Sequence, residues 1–254
     1  SVSLDGREIT GFSFENGVLT ITDGFTTSDM GAKTLVLKGK VGIKAVTVYL
    51  GVTVEVPAEE VALGGEREIV LSNGTEFDLD LGEYSSATVL SATLGGENVT
   101  FAGGKLIVTD DYKANTRKHG MQTLKVTVNK DGKYYLVTAN VLVVTKTVST
   151  IDELTAAATA GTDNVVYGYY KLTQNVGSSG AWINVQNNGN WMNPDGSDGF
   201  RGTLDGAGFA VDGAFGTHGL FGIIGNGAVV KNITFNVYYY QNNRQTLARS
   251  ITGA

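Results

Sequence analysis

The sequence predicts an all-β fold. Glycine is abundant at 35 residues and proline scarce at 2, and short runs that alternate apolar and polar side chains recur along the chain between Gly, Asn and Asp residues. Alternation with a period of two is typical of half-buried strands, and the residues between the runs are typical of tight turns. A length of 254 residues leaves room for two domains or more.

The N-terminal segment, 1–55, predicts strands that are joined by hairpins. Leu19 and Ile21 alternate with polar residues, as do Leu35 and Leu37, and a further alternating run follows the sequence GKVG. The runs are short and separated by turn residues, so this region has the pattern of an antiparallel β module.

An internal repeat relates this region to a later one. FENGVLTITD (14–23) aligns without a gap to FAGGKLIVTD (101–110), with five of ten positions identical and an offset of 87. Further matches pair Gly31 with Gly120, and Lys40 and Gly42 with Lys130 and Gly132, as the offset grows to 89 and then 90. An offset of about 90 residues, made of short strands, has the size of one immunoglobulin-like sandwich.

The repeat predicts two modules of unequal completeness. We expect a partial Ig-like β-sandwich over 1–55, which repeats 88–145, and a complete one over 56–148. The first copy lacks counterparts of 56–87. Because a half sandwich exposes apolar side chains and strand edges, we expect that the first module is either cut within a domain or completed by a borrowed edge strand.

In the second module the sequence predicts one strand and the turn after it in detail, from QTLKVTV (122–128) and the residues that follow. Leu124, Val126 and Val128 fall on one face of a strand. The following NKDG predicts a turn in which Gly132 supplies a positive φ.

STIDELTAAATAG (149–161) predicts a short helix between the sandwich and the rest of the chain. Ser149 or Thr150 can cap its N-terminus, and Ile151, Leu154 and Ala158 fall on one face. We expect this helix to cover the open end of the structure that follows it.

The C-terminal region predicts short strands that stack in coils. Val211 and Ile233 each follow a polar corner residue, and the interval between these two positions is the one expected between neighbouring coils of a parallel β-helix. Asn232 is expected at a bend, because Asn tolerates the left-handed backbone region. Asp205 and Asp212 precede glycines and are also interpreted as bend residues.

The same region resembles a known family. GTLDGAGFAVDG (202–213) followed by GLFGIIGNGAVVKNITF (219–235) resembles the opening coils of bacterial right-handed β-helix (pectin-lyase-like) proteins, and HGLFGIIGNG (218–227) resembles the GLUG motif of such surface proteins. The resemblance implies a capping helix and the first coils of a right-handed parallel β-helix over 149–254. We expect the natural chain to continue, or another surface to cover the last coil.

Composition excludes several kinds of site. The chain has no cysteine, so disulfides, thiolate metal sites and cysteine nucleophiles are excluded, and the two histidines, His119 and His218, do not form a metal-binding or catalytic pattern. A net charge of -6 without a basic run argues against nucleic acid as a partner. No run of about 18 apolar residues predicts membrane insertion. We expect no cofactor.

Aromatic side chains are the candidate ligand-binding residues. Trp182, Trp191, Tyr238 and Tyr240 lie in the C-terminal region, where rings on an exposed groove would stack on sugar faces. The alternative is that the aromatic residues of this region fill the coil interior or cover a sheet.

A calcium loop is a weaker candidate. Asn193, Asp195, Ser197 and Asp198 space oxygen ligands in NPDGSDG, but without a downstream Glu at EF-hand distance, so the segment is interpreted as a turn and no metal is predicted.

These observations leave two classes of function. The first is a non-catalytic bacterial secreted or cell-surface protein, in which Ig-like spacers present a β-helix for adhesion to a cell-surface glycan or a host protein. The alternative is a polysaccharide lyase or glycoside hydrolase whose active site lies on coils beyond these residues. Fold alone does not separate the two classes.

Overall fold

The computed structural model describes residues 1–16, 18–22, 31–54, 58–159, 165–183, 199–215, 223–237 and 250–251. It divides the chain into two compact units, Ser1–Glu59 with Asn129–Tyr135 and Glu60–Val128 with Leu136–Ala254. Strands dominate both units, and the described residues form two α-helices. The prediction of an all-β fold is confirmed.

The first unit contains a small sandwich-like module. Its strands are β1 (Val2–Leu4), β2 (Arg7–Ile9), β3 (Phe12–Glu15), β4 (Val18–Ile21), β5 (Gly31–Val41) and β6 (Lys44–Val54). One sheet has the order β2-β1-β5-β6, and β3 pairs with β4 in a separate hairpin. Val2, Leu4, Ile9 and Leu35 are buried between them, and Leu19 of the hairpin packs against this core.

The second unit begins with a larger module of the same kind. Its elements are β7 (Glu59–Val70), β8 (Glu76–Asp78), β9 (Thr88–Leu94), β10 (Glu97–Asn98), β11 (Thr100–Ala102), β12 (Lys105–Ile107), α1 (Asp110–Ala114), β13 (Gly120–Lys130) and β14 (Lys133–Val144). The sheets have the orders β10-β9-β13-β14-β7 and β11-β12-β8. Leu124, Val126 and Val128 are fully buried on one face of β13, as predicted.

The structure corrects the alignment of the repeat. β5 and β13 both run for 11 residues, from Gly31 and from Gly120, so the offset stays at 89 as far as the turn. β6 and β14 begin at Lys44 and Lys133, again 89 apart. Gly42 therefore corresponds to Asp131, and the predicted match of Lys40 and Gly42 with Lys130 and Gly132 is wrong.

The turn residues explain the error. Asp131 adopts a φ of 53°, in the left-handed region where Gly42 has a φ of 62°, so a non-glycine residue takes the place of that glycine. Gly132 also has the predicted positive φ, at 79°.

The rest of the second unit is a stack of parallel strands. Its elements are β15 (Lys146–Val148), α2 (Ile151–Thr159), β16 (Val165–Val166), β17 (Tyr169–Leu172), β18 (Val176–Ile183), β19 (Gly199–Phe200), β20 (Thr203–Asp205), β21 (Ala210–Phe215), β22 (Ile223–Ile224), β23 (Val229–Lys231), β24 (Thr234–Val237) and β25 (Ser250–Ile251). Three sheets have the orders β15-β17-β20-β23, β16-β19-β22-β25 and β18-β21-β24. Each pass of the chain through the three sheets, here called a circuit, adds a strand beside the strand of the preceding circuit. Phe200, Leu204 and Val211 are buried in the core that the circuits share.

The register within this stack differs from the predicted one. Val211 pairs with Phe235 and not with Ile233, so the circuit is longer than the predicted one. Ile233 lies before β24 and packs against the core from the corner, as does Phe209 before β21. Asn232 has a φ of 52°, which confirms its predicted left-handed bend.

Helix α2 forms where the sequence predicts a helix. The Thr150 hydroxyl accepts a hydrogen bond from the Glu153 amide at 3.2 Å, and the Glu153 carboxylate accepts one from the Ser149 amide at 2.8 Å. This arrangement resembles a capping box with Thr150 at the N-cap, except that Glu153 reaches the amide of Ser149, one residue before the N-cap. Leu154 and Ala157 are buried in the core of the stack. The side chain of Ala158, predicted on the same face, lies outside the described ones.

No helix in the described ranges is both long enough and apolar enough to cross a membrane.

Candidate functional site

A single residue joins the larger sandwich module to the parallel strands. β14 ends at Val144 and β15 begins at Lys146, which leaves Thr145 between them. The Thr145 amide donates to the Tyr169 carbonyl at 2.8 Å, and the Tyr169 amide donates to the Thr145 hydroxyl at 2.8 Å. Two hydrogen bonds thus fix Thr145 to the first residue of β17.

A buried polar network lies on the sheet next to this junction. The Tyr169 hydroxyl donates a hydrogen bond to Asp205 Oδ2, and the Lys231 ammonium lies 3.4 Å from the same oxygen. Asp205 is only 6% exposed and is the buried charged residue of the described part of the chain. Lys231 also lies 5.3 Å from the centre of the Tyr169 ring, within reach of a cation–π contact.

The register of the parallel sheet brings these side chains together. Asp205 on β20 pairs with Lys171 on β17 and with Lys231 on β23. Tyr169 lies two positions before Lys171, hence on the same face, and reaches Asp205 diagonally. Glu68 of β7 forms an ion pair with Lys171. Acidic and basic side chains therefore alternate from the sandwich module across three strands of the stack.

The other Asp205 oxygen is occupied by groups from the bends. Oδ1 accepts hydrogen bonds from the Ala207 amide at 2.9 Å and from Asn232 Nδ2 at 3.1 Å. The interpretation of Asp205 as a bend residue agrees with the first of these bonds. The second ties one circuit of the chain to the next, because Asn232 lies on the following circuit.

These contacts determine the charge state of the network. Burial alone would raise the pKa of Asp205, but the hydrogen bonds from Tyr169, Ala207 and Asn232 and the charge of Lys231 outweigh it and hold that pKa below its usual range. Burial and the bond to Asp205 raise the pKa of Tyr169, so the phenol keeps its proton. The network is a carboxylate that is saturated by donors, an arrangement that stabilises a fold and leaves no proton for acid catalysis.

A small polar cavity in the larger sandwich module is a second candidate site. Its volume is about 230 Å³, and its lining residues come from β10, α1 and the segments beside α1: Glu97, Asn98, Thr109, Asp111, Tyr112, Asn115 and Lys118. Lys118 forms an ion pair with Glu97. The Tyr112 hydroxyl is buried and has no hydrogen-bond partner among the described residues, and burial together with the Glu97 charge raises the pKa of Tyr112 to about 12.

His119 lies on the sandwich side of the junction. Its Nδ1 atom lies 2.7 Å from the Thr145 hydroxyl and its Nε2 atom 3.4 Å from the Tyr112 carbonyl. Burial lowers the pKa of His119, against the opposing effect of the Tyr112 carbonyl, so the ring is neutral at pH 7. These contacts assign His119 a structural role.

We expect the stability of the second unit to fall as the pH drops below about 6.5, the usual pKa of histidine. Below that pH the histidine of the unfolded chain binds a proton, whereas the buried His119 of the folded chain stays neutral. Protonation therefore favours unfolding as the pH falls, until the pH reaches the lowered pKa of folded His119. Replacing His119 by Gln removes this group. The slope of the unfolding free energy against pH should then decrease by at most about 1.4 kcal/mol per pH unit, which is the contribution of one proton. Hydrogen exchange of the amides in β13 and β14 of both proteins between pH 7 and pH 5, corrected for the pH dependence of intrinsic exchange, measures it, and equal slopes would contradict the assignment.

Most of the predicted ligand-binding aromatics lie outside the described residues. Trp182 lies on β18, but its side chain is outside the described ones, and Trp191, Tyr238 and Tyr240 lie outside the described residues. The same holds for His218 and for the predicted turn that contains Asn193, Asp195, Ser197 and Asp198. Of the other tyrosines, Tyr170 packs in the stack core, and Tyr169 packs with Leu142 and Val144 of the sandwich module.

The network around Asp205 is not predicted by the sequence. Lys231 lies in the stretch 219–235 that carries the family resemblance but is assigned no role there, and Asp205 is interpreted from the sequence only as a bend residue. The available signal is the strand alternation that places Leu204 inside and Asp205 outside. Alternation alone does not predict the network, because the residues that neighbour Asp205 depend on the number of residues in each circuit. Lys171 lies on the preceding circuit and Lys231 on the following one.

No protein family model, no curated protein and no solved structure matches the chain.

Proposed function

We propose that the chain is a non-catalytic bacterial secreted or cell-surface protein, in which Ig-like modules act as spacers and a right-handed parallel β-helix is presented for adhesion or glycan binding. The observation that supports this most is the Asp205 network. It joins three strands of the stack, and beside it Lys171 of β17 pairs with Glu68 of the sandwich module. Contacts between neighbouring circuits and with the sandwich module suit a rigid scaffold that holds a binding face at a distance.

The state of Asp205 argues against this residue as the general acid of a glycoside hydrolase. Glycoside hydrolysis requires a carboxylic acid whose pKa is raised so that it can donate a proton. The pKa of Asp205 is shifted in the opposite direction: Oδ2 accepts a hydrogen bond from Tyr169 and pairs with the Lys231 ammonium, and Oδ1 accepts from Ala207 and Asn232.

The proposed ligand is a cell-surface glycan. Sugar recognition combines stacking on aromatic faces with hydrogen bonds to hydroxyls. The aromatic side chains Trp182, Trp191, Tyr238 and Tyr240 supply the first kind of group. The polar cavity beside Tyr112 lies in the larger sandwich module, which acts as a spacer, and is therefore not assigned to this glycan site.

A glycan array with the 254-residue chain, run beside a reducing-sugar release assay on the glycans that bind, tests the proposal. Retention without release is the expected result. Release of sugar ends by the purified chain would overturn the non-catalytic assignment, and no retention on any glycan would overturn glycan binding.

Trp182 offers the sharpest variant for the same assay. Replacing it by Ala should weaken glycan retention about tenfold, which corresponds to about 1.4 kcal/mol, because a stacking face is lost. Trp182→Phe is the matched control and should keep most of the affinity. Equal binding by the three proteins, with unchanged melting temperatures, would show that Trp182 does not contact the glycan.

A further inference from the structure

The cavity in the larger sandwich module is enclosed by polar side chains from β10, α1 and the segments beside α1. Every residue that lines it carries a polar group on its side chain. Its volume of about 230 Å³ holds about eight waters at the roughly 30 Å³ that each occupies in the liquid. A molecule of one ring fits such a space, whereas an oligosaccharide does not.

Tyr112 supplies the observation that points to a ligand in this cavity. The residue is 4% exposed, and its hydroxyl is buried without a hydrogen-bond partner among the described residues. A buried hydroxyl normally has a partner, because leaving it unpaired is costly. Burial and the charge of Glu97, another lining residue, raise the pKa of this hydroxyl to about 12. The hydroxyl therefore keeps its proton, lies near a charged group of the cavity wall and can donate a hydrogen bond.

Three further side chains of the cavity wall are also available to a ligand. Those of Asn98, Asp111 and Asn115 form no hydrogen bond or ion pair within the described part of the chain. The Lys118 ammonium, which pairs with Glu97, also lines the cavity. Carboxylates accept, ammonium groups donate, and amides do both. The wall therefore offers donors and acceptors within a small volume.

A neutral ring that carries several hydroxyls matches this wall better than an ion does. Each hydroxyl of such a ring both donates and accepts, so the ring can serve the Asp111 carboxylate and the Tyr112 hydroxyl together. A cation would meet the Lys118 ammonium, and the described residues contain no group of three or more acidic, histidine or cysteine side chains that could hold a metal. An anion would meet the carboxylates of Asp111 and Glu97.

We propose that this cavity binds a single sugar ring, with Asp111 accepting from the ring hydroxyls and with Tyr112 and Lys118 donating to ring oxygens. The site is separate from the aromatic side chains of the C-terminal region, and the proposal does not rest on the glycan proposed for them. It gives the larger module a binding role in addition to that of a spacer. The expected dissociation constant is on the order of 1 mM, as is usual for a ligand with so few atoms.

Free D-glucose, D-galactose, D-mannose and N-acetyl-D-glucosamine are the probes. Saturation-transfer NMR with the 254-residue chain measures their binding, and hydrogen exchange at saturating sugar locates it. The expected result is saturable binding of at least one of these sugars, with slower exchange over positions 109–118.

Tyr112→Phe separates ligand binding from folding, because it removes only the hydroxyl. Sugar binding should weaken about tenfold. In the sugar-free chain the amides of β13 should exchange as slowly as before or more slowly, since an unpaired buried hydroxyl is lost. A hydroxyl that only supports the fold would give the opposite change in exchange.

Asp111→Asn keeps the size of the side chain and removes its charge, and should weaken sugar binding about fivefold. Asp110→Asn is the matched control. It removes the neighbouring carboxylate of α1, which is not part of the cavity wall, and should change the affinity less than about twofold.

Two results would overturn the proposal. The first is no binding of any of the four sugars at about ten times the expected dissociation constant, which would leave water as the occupant of the cavity. The second is binding that both Tyr112→Phe and Asp111→Asn leave unchanged, which would place the sugar elsewhere on the chain.

Discussion

Replacing Gly206 by Ala is expected to destabilise the sheet formed by β17, β20 and β23 by about 3 kcal/mol. A Cβ atom at Gly206 would lie 2.4 Å from the Asn232 carbonyl oxygen and 2.4 Å from Ile233 Cβ, both on the next circuit of the chain. Backbone and a β-branched side chain cannot move away cheaply in a packed core. The two circuits would have to separate.

Gly208 provides the matched control. It lies two positions further on, has a φ of 90°, and a Cβ there would meet no atom within 4 Å. Gly208→Ala should cost about 1 kcal/mol from backbone strain alone. Hydrogen exchange of the amides in β20 and β23 is the suitable measurement, because a chain of two units does not unfold as one. Equal effects of the two substitutions would show that the circuits do not approach this closely.

The second large effect is expected for Asp205→Ala, at about 2–3 kcal/mol. The substitution removes the acceptor for the Tyr169 hydroxyl, the Ala207 amide and Asn232 Nδ2 together. Tyr169 is buried at 5% exposure, so its hydroxyl cannot turn to water without disturbing the sheet. Lys231 is half-exposed and should lose little on its own.

Asp212→Ala tests whether burial causes this effect. Asp212 also accepts a hydrogen bond from an asparagine of the next circuit, Asn236, at 2.6 Å, but that bond is exposed. Its loss should cost less than about 0.5 kcal/mol. The same hydrogen-exchange measurement compares the two variants. Similar values for both would show that the Asp205 network adds nothing beyond one exposed bond.

The lowered pKa of Asp205 adds a dependence on pH with a definite sign. A carboxylate whose folded pKa lies below its unfolded value of about 3.9 stabilises the fold above that pH, and the stabilisation is lost as the pH falls through the folded pKa. The destabilisation caused by Asp205→Ala should therefore shrink below a pH of about 4.

Local features of the fold were predictable from the sequence because they depend on neighbouring residues. The buried face of β13 follows from alternation at Leu124, Val126 and Val128, and the start of α2 follows from the capping residues around Thr150. The bend at Asn232 follows from its tolerance of the left-handed region. In each case a few adjacent side chains determine the conformation.

Features that depend on the length of intervening segments were not predictable. Stacking Val211 on Ile233 required a shorter circuit than the one that pairs Val211 with Phe235. The candidate site depends on the same quantity, because Tyr169, Asp205 and Lys231 become neighbours only when each circuit has its actual length. Periodicity predicts which side chains face outward, and register decides which of them meet.

The junction at Thr145 also has a mechanical consequence. Tension applied to the parallel strands reaches the sandwich module through that one residue, through the Lys171–Glu68 pair and through the packing of Tyr169 against Leu142 and Val144. Each circuit of the stack contacts only its neighbours, so a pulling force should peel circuits one at a time, beginning with the circuit furthest from the junction. The stack would lengthen in steps of one circuit while the sandwich keeps its shape, so this part of the chain would act as a stepwise extensible tether.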